Sequence, residues 1–83
     1  MLKDKRYVIG IDAGTESCRV CLFDLEGSLI SSSSIEYPTY YPQPGWAEQD
    51  TETIWDSICL ATREVVKKAK VSVKDIAGIG ADG

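Results

Sequence analysis

Two apolar runs set close together constrain the fold more than anything else in the chain: Tyr7-Val-Ile-Gly-Ile11 and Cys18-Arg-Val-Cys-Leu-Phe23. Both are rich in β-branched and aromatic residues. Turn chemistry bounds each of them, Asp12-Ala-Gly14 after the first and Asp24-Leu-Glu-Gly27 after the second, so both read as strands. Side chains alternate across a strand, which puts Tyr7, Ile9 and Ile11 on one face and Val8 and Gly10 on the other. In the second run Val20 and Leu22 oppose Cys21 and Phe23. Apolar residues on both faces are the pattern of a sheet covered on both sides, and such a sheet needs two covering layers.

The rest of the chain offers one layer. Ser28 to Tyr37 alternates weakly and reads as a third strand, its serines 31–34 as solvated positions, which completes an antiparallel meander. Residues 38–50 carry Pro38, Pro42, Pro44 and Gly45 and read as an ordered, aromatic-rich loop. A helix is predicted over about residues 51–70, capped by Asp50 or Thr51. Its apolar stripe is Ile54, Ile58, Ala61, Val65 and Ala69, widened by Trp55, Thr62 and Val66, with Trp55 read as core. Ile76-Ala-Gly-Ile-Gly80 reads as a fourth strand. The fold class is therefore α/β, and one helix shields only one face of the sheet. With 83 residues there is room for a single domain, and one this small buries only about 60% of its unfolded surface. The chain is expected to be truncated, its second face awaiting further chain or a partner.

Composition excludes several classes of function. A net charge of −4 argues against nucleic acid or an anionic membrane as the main partner. The chain has no His, which removes His-based triads and His metal sites. No apolar run approaches the roughly 18 residues needed to span a bilayer, and Gly10 and Asp12 interrupt the stretch behind the basic start, so a cytoplasmic protein is expected. Cys18 and Cys21 form a Cys-x-x-Cys, but on a strand residues three apart point to opposite faces about 10 Å apart, too far for a disulfide or a shared metal. They and Cys59 read as buried, reduced thiols.

The densest chemistry lies in Ile9-Gly-Ile-Asp-Ala-Gly-Thr-Glu-Ser-Cys-Arg19. A strand enters a hairpin carrying a carboxylate (Asp12), a small corner (Ala13, Gly14), two hydroxyls (Thr15, Ser17) and a guanidinium (Arg19). Such a turn can form a phosphate nest, because Gly14 lets backbone N–H groups approach an anion and the hydroxyls add donors. A carboxylate at the strand end suits Mg²⁺, which takes one or two carboxylates with water and phosphate oxygens. Arg19 would neutralise charge on a transferring phosphoryl group. An ordinary hairpin, in which Asp12 and Gly14 only make the turn, stays open on spacing alone.

Three segments in order resemble the FGGY carbohydrate kinases, within the larger group of actin-like, sugar-kinase and chaperone ATPases. Gly10-Ile-Asp-Ala-Gly-Thr-Glu-Ser-x-Arg19 is similar to the first phosphate motif of that family. Tyr41-Pro-Gln-Pro-Gly-Trp-Ala-Glu-Gln-Asp50, leading into Trp55, resembles its Pro-Gly-Trp-x-Glu-x-Asp segment, and Ile76 to Gly83 its strand and loop opening the sugar site. The resemblance implies a ribonuclease-H-like core in each of two domains, with residues 1–83 the N-terminal part of the first and the C-terminal domain absent. It implies an ATP-dependent kinase of a sugar or polyol, inactive as this fragment alone. By position Asp12 would serve Mg²⁺, Gly14, Thr15 and Ser17 the ATP phosphates, and Arg19 the transferred phosphoryl group. Asp82 would meet the sugar, and Trp46 is either a loop anchor or a wall of the sugar cleft. Glu16, in place of a second Thr, tilts the substrate toward pentuloses.

Other readings compete. A chaperone- or filament-type ATPase would share the hairpin but not Arg19 or the Pro-Gly-Trp loop, and a non-catalytic interaction module is favoured by length alone. Gly78-Ile-Gly-Ala-Asp-Gly83 fits G-x-G-x-x-G literally, yet that fingerprint must open a helix. The partners expected are a small-molecule sugar and, for the isolated chain, a second copy of itself.

Overall fold

A computed structural model of the chain describes residues 6–14, 16–37 and 51–82. Strands β1 (Tyr7–Ala13), β2 (Ser17–Asp24) and β3 (Leu29–Glu36) are followed by helix α1 (Thr51–Ala69), a 3-10 turn (Val73–Asp75) and strand β4 (Ile76–Asp82). The sheet order is β3-β2-β1-β4. The first three strands form the antiparallel meander, whereas β4 runs parallel to β1, so the sheet is mixed. A parallel partner cannot be reached by a tight turn, and α1 lies in the connection that brings β4 to β1.

The first strand does not end at Asp12. Asp12 and Ala13 pair with Arg19 and Cys18, and the turn is confined to Gly14–Ser17, closed by the Gly14 N–H donating to the Ser17 carbonyl at 2.9 Å. Asp12 thereby becomes a position on a sheet face. The β2–β3 turn follows its sequence closely. Asp24 Oδ1 accepts from the N–H groups of Glu26 and Ser28 at 2.9 Å each, and Gly27 takes φ +91°, where a side chain would be strained.

One face of the sheet carries the core. Cys18, Val20 and Leu22 of β2 and Ala61 and Val65 of α1 are completely buried, with Ile9 and Tyr37 nearly so. A fully buried Val or Leu stabilises by about 1.5–3 kcal/mol, so this cluster supplies much of the stability available to so small a chain. The helix packs on β2 and β3 and only touches β1, and of β4 only Ile76 is packed against the core. Ile79 is accordingly 63% exposed although it shares the face of Ile9.

Three expectations need correction. Of the cysteines only Cys18 is buried; Cys21 on the opposite sheet face and Cys59 on the helix are half-buried. Trp55 is 63% exposed, not core, because at 100° per residue it lies on the flank of the stripe Ile54, Ile58, Ala61, Val65. Ser57, four residues before Ala61, takes the inward place, its hydroxyl donating to the Thr53 carbonyl at 2.8 Å. The serines of β3 are not simply solvated either. Ser31 donates to the Val65 carbonyl at 2.8 Å, Ser33 is buried and donates to the Glu64 carboxylate, and Lys68 donates to the Ser32 carbonyl, while Ser34 is exposed. Small hydroxyls let the helix sit close over an edge strand and keep its polar groups partnered.

Helix α1 stops one residue earlier than predicted, through a C-terminal cap. Lys70 adopts φ 56°, its N–H donates to the Lys67 carbonyl at 3.1 Å, and the Val71 N–H reaches back to Val66 at 3.3 Å. This is a Schellman motif, with Val66 and Val71 both packed against the core. Residues 38–50, and with them the expected aromatic loop and the Asp50 cap, lie outside the described residues. Among the described residues no helix is long and apolar enough to cross a membrane.

Candidate functional site

The face of the sheet turned away from α1 is apolar at one end and charged at the other. Val8, Gly10, Cys21 and Phe23 form the apolar end, with Phe23 leaning so close over Gly10 that a Cβ there would lie 3.4 Å from its ring. Beyond them the register brings four exposed polar residues into one row across all four strands. Ser34 pairs with Arg19, Arg19 with Asp12, and Asp12 with Asp82. Neighbouring strands lie about 4.8 Å apart, so the guanidinium and both carboxylates fall within one small-molecule diameter of each other. Ser17, half-buried, lies two residues before Arg19 and shares its face. Beside the row β4 has no side chains at Gly78 and Gly80, and nothing lies within 4 Å of where their Cβ atoms would be. The backbone is therefore open to close approach next to the carboxylates.

The turn Gly14–Ser17 adjoins this row. Gly14 is exposed, and a Cβ on it would stand 3.4 Å from the Ser17 carbonyl. Thr15 and Trp46, two of the residues singled out from the sequence, lie outside the described residues. Of the others, the structure gathers Asp12, Ser17, Arg19 and Asp82 on one face and sets Gly14 at its border.

One residue here was not anticipated. Tyr37, read only as the end of a strand, is 5% exposed, and its hydroxyl reaches the Gly14 carbonyl and, at 2.9 Å, the Ser17 carbonyl. Its N–H donates to the Glu16 carbonyl at 3.0 Å. The available signal was periodicity: Ser31, Ser33, Ile35 and Tyr37 share the inner face, and a tyrosine buried there needs a partner for its hydroxyl. Burial, then the proximity of Cys18 and Asp12, pushes the Tyr37 phenol above its usual pKa, so it remains a donor. Burial likewise raises the Cys18 thiol, against hydrogen bonds from the backbone of Ile35 and of Cys18 itself. Glu16, Ser17, Glu36 and Tyr37 line an open hollow of ≈ 330 Å³ beside the turn.

Among the described residues no group of three or more His, Cys, Asp or Glu is placed to hold a metal. The two carboxylates Asp12 and Asp82 are hard oxygen donors in adjacent register. That set suits Mg²⁺, which is satisfied by one or two carboxylates when phosphate and water complete its shell.

Residues 7–83 match the N-terminal domain of the FGGY family of carbohydrate kinases. The chain belongs to that family. A glycerol kinase of Thermococcus gammatolerans is 42% identical over 76 residues, 92% of this chain and 15% of its own length. One from Janthinobacterium is 43% identical over 75 residues, 90% of this chain and 15% of its own. Among solved structures, xylulose kinase from Rhodospirillum rubrum superposes with a TM-score of 0.79 at 32% identity, over 92% of this chain and 16% of that one. Gluconate kinase from Lactobacillus acidophilus gives 0.73 at 33% identity, over 92% and 15%. The chain thus spans about 15% of the curated relatives it matches. FGGY membership sets aside the chaperone and filament readings, and the fold is the N-terminal part of the actin-like, ribonuclease-H-like arrangement. Gly78-Ile-Gly-Ala-Asp-Gly83 is not a dinucleotide fingerprint, since residues 78–82 lie within β4 and open no helix.

Proposed function

We propose that this chain is the N-terminal part of an ATP-dependent kinase that phosphorylates a hydroxyl of a sugar or polyol, and that the Arg19–Asp12–Asp82 row is its floor. That row supports the reading, because it sets the Arg19 guanidinium beside the Asp12 and Asp82 carboxylates, the charges that a phosphate, a metal and an acceptor hydroxyl would call for. Phosphoryl transfer asks little covalent chemistry of a protein; it asks for positioning and for charge stabilisation.

Each residue then has a task. The Gly14–Ser17 turn, with the hydroxyls of Thr15 and Ser17, binds the phosphates of ATP. Asp12 holds Mg²⁺, and the ion when bound neutralises phosphate charge. Arg19 offers its guanidinium to the phosphoryl group in transit. Asp82, one strand further, accepts hydrogen bonds from the acceptor and so keeps its hydroxyl next to the phosphate site. Trp46 is assigned to the acceptor as a substrate-binding residue. The polyol and sugar names of the matched kinases support an alcohol acceptor, and we assign a sugar or polyol with pentuloses among the candidates. The reduced cysteines suit a cytoplasmic setting. On this reading the active unit is a longer polypeptide.

The test is phosphate transfer from labelled ATP by that polypeptide, with Mg²⁺, across glycerol, ketopentoses and hexonates. Transfer to one of these classes, abolished by removal of Mg²⁺ and absent when the 83-residue chain is used alone, is the expected result. No transfer to any alcohol acceptor, or full transfer by the isolated chain, overturns it.

A further inference from the structure

We infer that Tyr37 is a positioning residue for the phosphate-binding turn, holding Gly14–Ser17 in its binding shape from the end of the neighbouring strand through a hydroxyl shared between two turn carbonyls. The inference rests on the phosphate-site reading above.

The physical need is plain. Gly14 has no side chain and is exposed, so its backbone is free to sample conformations closed to other residues, and a loose anion nest must be ordered at the expense of affinity. One hydrogen bond within the turn, from the Gly14 N–H to the Ser17 carbonyl, leaves the Gly14 carbonyl unrestrained. Tyr37 supplies that restraint. Its ring is buried in the core with Cys18 and Val20, and its own N–H is tied to the Glu16 carbonyl, so the hydroxyl is delivered from a rigid base. It meets the Gly14 and Ser17 carbonyls together, the two ends of the turn. Pre-organised groups bind without reorganising at the moment of reaction, which is where the gain lies.

Tyr37→Phe tests this in the full polypeptide. It keeps the ring and its packing, and the exposed turn regains water at the freed carbonyl, so folding is preserved. Two readouts are needed: amide exchange at Gly14 and Ser17 without ligand, and the separate KM values for ATP and for the acceptor. Faster exchange at the turn is expected, with KM for ATP raised about tenfold, the worth of one hydrogen bond, and kcat and the acceptor KM within about twofold. Unchanged exchange overturns the restraint. Faster exchange with an unchanged KM for ATP overturns the positioning role, as does a parallel rise in both KM values. Asp12→Asn, run alongside, separates this from the underlying reading: if that variant turns over normally, the phosphate site is misassigned and the role of Tyr37 in it falls too, whatever the exchange data say.

Discussion

Replacing Asp12 by Ala separates a structural carboxylate from a functional one. Asp12 is exposed, sits at the penultimate position of β1 and has two charged neighbours at nearly equal spacing, Arg19 on one side and Asp82 on the other. At about 5 Å in water each of those interactions is worth roughly 0.8 kcal/mol, one attractive and one repulsive, so they nearly cancel. Truncation empties no buried site, and the expected change in stability stays within about 0.5 kcal/mol. On the proposed function the variant also loses the carboxylate assigned to Mg²⁺, which is a different matter. Placing a divalent ion on a phosphoryl oxygen is worth several kcal/mol, and at 1.36 kcal/mol per factor of ten the expected fall in turnover is about 100-fold or more. In the longer polypeptide that the proposed function requires, coupled detection of ADP release, with Mg²⁺ titrated and thermal unfolding recorded on the same sample, reads both quantities. A variant that melts like the parent and turns over within about threefold of it would refute the carboxylate's role; at the 1.36 kcal/mol decade, that is well under 1 kcal/mol. A variant that loses activity and unfolds together would refute the claim that Asp12 is structurally idle.

Three further outcomes are expected. Lys70→Gly relieves a left-handed residue at the end of α1 that costs about 1–2 kcal/mol, less about 0.5–1 kcal/mol for the freer unfolded chain, a net gain of about 0–1.5 kcal/mol; a Tm below that of the parent would refute the strain argument. Cys18 and Tyr37 both bind their protons more tightly folded than unfolded, so their contribution is complete below about pH 8.5 and is lost as pH rises through the thiol and then the phenol range. Urea midpoints measured from pH 7 upward should be level and then fall, and Cys18→Ala should delay the fall; a level midpoint to beyond pH 10 contradicts it. The isolated chain should self-associate, most simply as a two-fold dimer, because the face bearing Val8 and Phe23 has no helix over it among the described residues and β4 ends the sheet at an open edge. Static light scattering giving a monomer mass at every concentration would count against this.

The alternation of Tyr7, Ile9, Ile11 and of Val20, Leu22 was enough to place the first two strands, their inner face and the hairpin between them, because period two and turn residues are local properties of the chain. The helix stripe was legible for the same reason at Ala61 and Val65, and failed at Trp55, where a bulky apolar residue on the flank counts as hydrophobic in the sequence but is left exposed by the other described residues. The site residues Asp12, Arg19 and Asp82 were each named from a motif. That they stand in one row was not legible, since it depends on β4 pairing in parallel with β1 at the register Asp12–Asp82, a contact between residues seventy positions apart. The serine seam under α1 and the hold of Tyr37 on the Gly14–Ser17 turn were invisible for the same cause.

By itself, then, the sequence determined the local units: which segments are extended, which one is helical, where the chain turns, and that a carboxylate, a glycine and a guanidinium share one hairpin. Only the tertiary structure decided which faces meet, that Ser33 and not Trp55 is buried, and that the tyrosine just after the third strand hydrogen-bonds to the turn between the first two. The division follows from the physics. Dihedral preference and side-chain period act between residues a few positions apart, whereas register and packing are set by which buried polar groups find partners and which apolar surfaces leave water, and those choices are made between segments distant in the chain.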